Sequence, residues 1–220
     1  MNPDRYRQIQ DTLVPYGARL VAVSKTRPEA DIQQLYDVGH RLFGENKVQE
    51  MEGKQTNLPK DIQWHLIGHL QSNKVKYIAP FVSMIHSIDS LRLLAEVDRQ
   101  AKKCNRVIPC LLQIHISGEE TKFGLNQWEA DELLSDPSML TMKNIEIAGL
   151  MGMASNTDDT SKIESEFAGL KKLFDSLRMH YFIGKPAFRE LSMGMSSDYL
   201  IGLKHGATLV RIGSDIFGAR

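Results

Sequence analysis

The chain has 220 residues, and its 27 Lys+Arg balance its 27 Asp+Glu to a formal net charge of zero. This balance argues against nucleic-acid-binding proteins and proteins that bind anionic membranes, which usually carry a basic excess. A hydrophobic share of 42% and a charged share of 25% are typical of a soluble globular protein rather than a disordered chain. We expect one domain over residues 1–220 and a cytoplasmic location, because neither a secretory signal nor a membrane-spanning apolar run is visible.

Short apolar runs alternate with helical patterns along the chain. A first helix is predicted from about residue 3 to residue 15, and each of the first seven apolar runs is followed by a helical pattern. These patterns include a helix over about residues 71–79, one that Asn126 can cap, and one whose apolar face spans residues 163–177. The eight predicted strands are residues 20–25, 41–46, 62–68, 84–89, 108–117, 145–153, 189–194 and 208–212.

Regular alternation of strands and helices predicts a parallel sheet with right-handed crossovers. Eight such units favour an α/β fold closed as a single (β/α)8 TIM barrel with an extra N-terminal helix, near the lower size limit of that fold. A doubly wound open sheet is the alternative. It is the weaker of the two, because no Gly-rich dinucleotide-binding loop follows the first strand.

Lys25 ends the first predicted strand, and chemistry in a TIM barrel takes place at the carboxyl ends of the strands. Alternation along the strand puts Lys25 on the same side as Val21 and Val23. A lysine directed into a barrel mouth is partly desolvated, which favours the neutral amine and its attack on a carbonyl. Lys25 is therefore a candidate for a Schiff base with an aldehyde, and a solvated surface lysine is the alternative.

Turns rich in Gly and Ser follow the seventh and eighth predicted strands, at residues 192–198 and 213–215. Gly allows close approach of an anion to the backbone, Ser adds a hydroxyl donor, and a helix N-terminus adds partial positive charge. This corner of the barrel is the usual phosphate site of the fold. A phosphate site opposite Lys25 suits pyridoxal 5′-phosphate, which carries an aldehyde and a phosphate; two ordinary turns are the alternative.

Arg211 lies between Val210 and Ile212 in the eighth predicted strand, so either the arginine or its two neighbours face the barrel interior. An inward arginine needs an acceptor, because an unpaired buried charge is costly. A structural salt bridge is one interpretation, and contact with the pyridine nitrogen of the cofactor is the other. Arginine only donates and keeps its proton, so it would leave that nitrogen unprotonated and the ring a weaker electron sink.

Other polar residues near strand ends are weaker candidates. Asn46 can donate to the phenolic oxygen of the cofactor or cap the helix that follows it. His65 and His115 are interpreted as polar core groups, since the histidines show no metal-ligand spacing and no metal site is predicted. The methionines at positions 151, 153, 193 and 195 are interpreted as packing.

Five motifs carry a resemblance to a known family. They are LVAVSKTRP from Leu20, FGEN from Phe43, WHLIGHLQSNK from Trp64, ELSMGMSSD from Glu190 and VRIGSDIFG from Val210. In this order, and over nearly the whole chain, they resemble the YggS/PROSC family of pyridoxal phosphate homeostasis proteins. The predicted barrel also resembles the N-terminal domain of bacterial alanine racemase, the fold type III group.

The resemblance implies a cofactor site for pyridoxal 5′-phosphate. Lys25 would hold the cofactor as a Schiff base, Arg211 would lie near the pyridine nitrogen, and Asn46 would lie beside the ring. Ser192, Gly213 and Ser214 would contact the phosphate, with Ser196 and Met193 close by. Lys122, Phe123 and Gly124 fall in a further segment of the family, and no role is assigned to them. The implied cofactor-binding residues are Lys25, Asn46, Ser192, Met193, Ser196, Arg211, Gly213 and Ser214.

Two classes of function follow from the resemblance. The first is a protein of intracellular pyridoxal phosphate homeostasis that stores, buffers or delivers the cofactor to apo enzymes, as a monomer or weak dimer without substantial catalysis. The alternative is an amino-acid racemase or another weak enzyme that uses the cofactor. Racemisation needs acid–base groups on both faces. Alanine racemases take the second one from a C-terminal β domain, which we do not expect here because the sequence ends at Arg220. A lysine Schiff-base aldolase without cofactor is a further alternative.

Overall fold

Eight parallel strands form a closed barrel in the order β1 to β8, with β1 paired to both β2 and β8. The structure, a computed structural model, describes residues 1–118 and 123–218, so Lys122 lies outside the described residues. The predicted TIM barrel with an additional N-terminal helix is confirmed, and the open sheet considered as its alternative is wrong. The strands are β1 (Arg19–Val23), β2 (Leu42–Glu45), β3 (Gln63–Leu66), β4 (Met84–Ile88), β5 (Ile108–Ile114), β6 (Ile145–Gly152), β7 (Glu190–Met195) and β8 (Leu209–Ile212).

Helices connect every pair of consecutive strands. Between β3 and β4 a 3-10 turn, Ser72–Lys74, leads into a single helical turn, which is shorter than the helix predicted over residues 71–79. Asn126 caps its helix through a capping box with Glu129, as predicted. Among the helices of the described ranges, none combines the length and apolar composition needed to cross a membrane. The helices are α1 (Pro3–Leu13), α2 (Glu29–Asp37), α3 (Val48–Asn57), α4 (Val75–Ile78), α5 (Leu91–Lys103), α6 (Gln127–Ser135), α7 (Thr160–Tyr181), α8 (Tyr199–Lys204) and α9 (Ser214–Phe217).

Alternation of side chains along the strands divides the core into two layers. Val21, Leu111 and Met151 pack together inside the barrel. Residues of the opposite parity, such as Leu20 and Ala22, pack between the barrel and the helices. The inward parity of Val21 continues along β1 to the mouth of the barrel, where the predicted site lies.

The N-terminal helix α1 anchors the turn that follows β8. Arg5 on α1 forms an ion pair of 2.7 Å with Asp215 on α9, and the backbone N–H of Asn2 donates to the carbonyl of Ile216 at 2.7 Å. The helix that precedes the barrel in sequence therefore fixes the last turn of the chain against the mouth.

Candidate functional site

A cavity of about 430 Å³ opens at the carboxyl ends of β1, β2, β3, β6, β7 and β8. Its volume lies within the range of small-molecule binding sites, about 300–1,000 Å³. Apolar side chains form part of its wall, namely Val23, Ile67, Met153 and Met195. Six of the eight residues implied by the resemblance line this one cavity: Lys25, Asn46, Ser196, Arg211, Gly213 and Ser214.

Lys25 follows β1 directly and reaches the cavity beside Val23, as the strand alternation predicts. Its side chain is half-buried. The next residue, Thr26, has a φ of +63°. This left-handed backbone is an outlier for a β-branched residue, and it turns the chain sharply after Lys25.

Asn46 lines the cavity from the end of β2 and does not cap the next helix. The N-cap position of α3 belongs to Lys47, and no side chain provides a capping hydrogen bond there. Gly68, after β3, packs directly against Asn46, since a Cβ on Gly68 would lie 2.4 Å from the Asn46 carbonyl oxygen. This close approach of two backbones holds Asn46 at the mouth rather than over the helix.

Ser192 and Met193 do not line the cavity, although Ser192 contacts Arg211, which does. Both are fully buried in β7, which runs on to Met195. Ser192 therefore lies about 10 Å along the strand below its end. Met193 has the opposite parity and packs in the core around the barrel.

Of the two arrangements that the sequence left open, the structure places the Arg211 guanidinium inside the barrel, with 4% of the residue exposed. It donates to the Ser192 carbonyl at 2.9 Å, to Ser192 Oγ at 2.6 Å and to the Gly152 carbonyl at 3.0 Å. It makes no ion pair among the described residues, so the structural salt bridge considered for it is not found there. Burial lowers the pKa of Arg211 to about 10, against the opposing effect of Asp198.

These three contacts leave part of the guanidinium unused. An arginine has five N–H donors, and the described acceptors take three of them. The remaining N–H donors of Arg211 belong to a guanidinium that is buried and lines the cavity. Because burying a cation without a full set of acceptors is costly, this geometry favours an acceptor bound in the cavity.

A buried polar chain of Arg211, Ser192, His86 and His65 continues into the barrel. His86 Nδ1 lies 3.0 Å from Ser192 Oγ, and His86 Nε2 lies 2.9 Å from His65 Nδ1. Burial lowers the pKa of His65 to about 3 and that of His86 well below its ordinary value, so both rings are neutral at pH 7. Ser192 can accept from Arg211 and donate to His86, which then donates to His65. The serine hydroxyl is thus occupied in orienting Arg211.

The turns after β7 and β8 meet across the cavity. The hydroxyls of Ser214 and Ser196 are 3.0 Å apart. The backbone N–H groups of Ser196, Ser197, Ser214 and Asp215 donate to no acceptor within residues 1–118 and 123–218. Four unused amides beside two hydroxyls form an anion-binding concavity of the kind that holds phosphate.

Glycine is required where the last turn crosses β1. A Cβ on Gly213 would lie 2.9 Å from the carbonyl oxygen of Val23 and 3.2 Å from its Cβ. The turn before α8 is held differently, because the buried Asp198 carboxylate accepts from the Met195 N–H at 2.5 Å. Burial raises the pKa of Asp198, so the fold holds this carboxyl at an electrostatic cost.

Arg27 lines the cavity and was not a candidate from the sequence. Its guanidinium donates to the carbonyl of Phe217 at 3.1 Å and to the carbonyl of Gly218. It adds positive charge close to the Ser214 turn. The only sequence signal for it is its place in the LVAVSKTRP motif, since it lies beyond the strand whose alternation identified Lys25.

Comparison with known proteins agrees with this geometry. The chain matches the family described as "Alanine racemase, N-terminal domain" over residues 4–220. It is 38% identical to the pyridoxal phosphate homeostasis protein of Aquifex aeolicus over 204 residues, covering 92% of this chain and 87% of that protein. It is also 38% identical to the protein of that name from Synechocystis over 222 residues, covering 100% and 99%.

Solved structures share the fold. PipY of Synechococcus elongatus with pyridoxal phosphate bound superposes with a TM-score of 0.87 at 34% identity, covering 98% of this chain and 99% of PipY. Alanine racemase from Bartonella henselae, with covalently bound pyridoxal phosphate, superposes with a TM-score of 0.75 at 18% identity and shares the fold over 57% of its length. The chain therefore belongs to the family of pyridoxal phosphate homeostasis proteins, within the larger family of alanine racemase N-terminal domains.

Proposed function

We propose that this protein binds pyridoxal 5′-phosphate in the barrel-mouth cavity, attaches it covalently at Lys25 Nζ, and serves intracellular homeostasis of the cofactor. One observation carries the proposal. A half-buried lysine, a buried arginine with unused donors and four unused backbone amides line or border a single cavity of about 430 Å³. The lysine amine matches an aldehyde, the arginine matches a ring nitrogen and the amides match a phosphate. One small molecule can carry all three groups.

The residues present fit the cofactor group by group. The amides and hydroxyls of the Ser196 and Ser214 turns would hold the phosphate, with Gly213 allowing the close approach and Arg27 adding charge. Asn46 would contact the ring substituents. The apolar wall of the cavity would cover the ring faces. Ser192, taken from the resemblance as a phosphate contact, is instead proposed to act through Arg211.

Lys25 and Arg211 divide the chemistry of the site. The cofactor would supply an aldehyde carbon, and the Nζ amine of Lys25 would be the group that condenses with it, the carbonyl oxygen leaving as water. Arg211 keeps its proton at neutral pH, because a pKa of about 10 lies well above 7. It would therefore donate to the ring nitrogen without transferring a proton, which would leave the ring a weak electron sink.

The same lining favours holding over catalysis. Among the described residues that line the cavity, the ionisable side chains are Lys25, Arg27 and Arg211. An arginine side chain is not a base at ordinary pH, so neither can serve as the second base that racemisation requires. Storage, buffering and delivery of the cofactor to apo enzymes need only reversible attachment at Lys25.

The relatives support the same role. Two are named pyridoxal phosphate homeostasis proteins, and PipY was solved with pyridoxal phosphate bound. We further propose that residues 1–220 act as one cytoplasmic cofactor-binding domain, working as a monomer or weak dimer, with apo forms of enzymes that use the cofactor as recipients.

Titration of the purified protein with pyridoxal phosphate, followed by its visible absorption spectrum, tests the proposal. We expect a saturable new band that changes when an amino acid is added, and alanine or serine racemisation far below about 1 per second, the lower end of common enzyme turnover. A chiral assay with turnover above that rate would contradict the holding role. Absence of the band would contradict cofactor binding and favour a cofactor-independent lysine aldolase.

A further inference from the structure

A buried ion cluster lies behind Lys25, on the outer side of β1 and β2. It consists of Glu45 at the end of β2 and of Glu50 and Lys54, four residues apart on α3. Lys54 Nζ donates to Glu45 Oε1, to Glu50 Oε1 and to the Ser24 carbonyl, each at 2.7 Å. An ammonium has three donors, so all of them are used although the side chain is only 7% exposed.

The cluster holds the peptide groups on both sides of Lys25. The peptide before Lys25 is held through the Ser24 carbonyl, which accepts from Lys54, while the Ser24 hydroxyl donates to Glu45 at 2.6 Å. The peptide after Lys25 is held through the Thr26 N–H, which donates to Glu50 Oε1 at 2.5 Å. The Cα of Lys25 is therefore fixed from two directions.

The contact with Glu50 also accounts for the unusual backbone at Thr26. A φ of +63° is unfavourable for a β-branched residue and persists only where the surroundings enforce it. The N–H that Glu50 accepts belongs to this strained residue. Without that acceptor, the chain after Lys25 could relax and redirect the lysine.

The three cluster residues do not line the cavity, so any effect on the cofactor passes through Lys25. Glu45 is fully buried, and Lys54 and Glu50 are 7% and 24% exposed at the side chain. A buried charge cluster of this kind is not needed to stabilise a fold, since apolar packing often does as well. Its hydrogen bonds to the two peptide groups that flank Lys25 indicate a positioning role.

We propose that Glu45, Glu50 and Lys54 are positioning residues that set the direction of Lys25 Nζ for attack on the cofactor aldehyde. This inference rests on the proposed function. It predicts that disturbing the cluster slows covalent attachment while leaving the phosphate and ring contacts intact.

Two substitutions at Glu50 separate positioning from charge. Glu50→Leu removes the acceptor of the Thr26 N–H, whereas Glu50→Gln keeps an oxygen there, and both remove the same charge. Glu52→Leu, at an exposed position of the same helix, is the control for changes to α3. If Glu50→Leu does not fold, Glu50→Asp takes its place, since it keeps the charge but is one carbon too short to reach Thr26.

Two readouts are compared for each variant. The first is the rate of covalent attachment of pyridoxal phosphate, measured by borohydride trapping and intact mass. The second is the equilibrium affinity for pyridoxine 5′-phosphate, which keeps the ring and phosphate but has no aldehyde. We expect Glu50→Leu to attach about 10- to 100-fold more slowly, as for a small misplacement of a reacting group, with its pyridoxine phosphate affinity changed by less than about twofold. Glu50→Gln and Glu52→Leu should attach at nearly the wild-type rate.

Attachment by Glu50→Leu at the wild-type rate would overturn the inference. So would an equal loss of both readouts, because that result indicates general damage to the site. Failure of Glu50→Gln to restore the rate would assign the effect to charge instead of position. Failure of the wild-type protein to bind either compound would overturn the proposed function itself, and the inference with it.

Discussion

Gly213→Ala is expected to damage both stability and cofactor binding, because the new methyl group meets backbone. The added Cβ would lie 2.9 Å from the Val23 carbonyl oxygen and 3.2 Å from the Val23 Cβ. Val23 belongs to a barrel strand paired on both sides, so it cannot move without disturbing its neighbours. Overpacking of this kind costs about 1–3 kcal/mol. For a domain of this length, that corresponds to a melting temperature lower by about 2–12 °C.

Cofactor binding should weaken as well, since the turn after Gly213 presents the Ser214 and Asp215 amides. Misalignment of one hydrogen bond to a charged group costs about 1.5–3 kcal/mol, which raises the dissociation constant about 10- to 100-fold. Gly169→Ala is the matched control, because its Cβ meets nothing within 4 Å on the exposed face of α7. It should stabilise the protein by about 0.5–1 kcal/mol. A Gly213→Ala protein with wild-type melting temperature and affinity would refute this reasoning.

Two further predictions concern buried polar groups. Burial lowers the pKa of His40 from 6.5 to about 4. The contribution of the neutral ring to the free energy of unfolding is therefore complete above pH 6.5 and is lost as pH falls toward 4. The total change in that free energy is about 3 kcal/mol. In urea unfolding, His40→Gln should therefore show a flatter fall of the unfolding free energy across that window, and an unchanged slope would contradict this origin. Ser192→Ala should destabilise the protein by about 1–3 kcal/mol by leaving Arg211 and His86 partly unpaired, yet retain binding of inorganic phosphate, which Ser214→Ala should weaken. Equal loss of phosphate binding in both variants, seen by calorimetry, would restore Ser192 as a direct phosphate contact.

The local sequence pattern predicted much of the fold, because apolar strand-like runs alternate with helical patterns along the whole chain. Each strand of a parallel barrel is buried on both faces, so its sequence is a short apolar run, and eight such runs were visible. Alternation along a strand also placed Lys25 on the inward side with Val21, and the structure confirms that placement. Arg211 follows the same rule, since its neighbours Val210 and Ile212 pack outward.

Depth along a strand is not encoded in that alternation. Ser192 has an inward parity, but β7 continues to Met195, so the serine lies below the mouth and meets Arg211 and His86. Side-chain alternation alone therefore could not distinguish a residue at the mouth of the barrel from one deeper inside it.

Contacts between segments that are distant in sequence could not be predicted from local sequence patterns. The sequence pattern gives Lys54 no special role in α3, but its ammonium is buried against Ser24, which follows β1, and Glu45 at the end of β2. Arg27 follows Thr26, whose backbone is left-handed, and its guanidinium contacts Phe217 in the last turn of the chain. Both features depend on tertiary structure that closes the barrel.

Reductive trapping shows directly whether pyridoxal phosphate attaches covalently to Lys25. Wild-type protein loaded with pyridoxal phosphate is reduced with borohydride, weighed intact and mapped by peptide mass, beside Lys25→Ala and the surface variant Lys74→Ala. We expect covalent attachment at Lys25 to give one adduct on the peptide containing Lys25 in the wild type and in Lys74→Ala, and none in a folded Lys25→Ala protein. An adduct that persists in Lys25→Ala, or that maps to another lysine of the wild type, would contradict it.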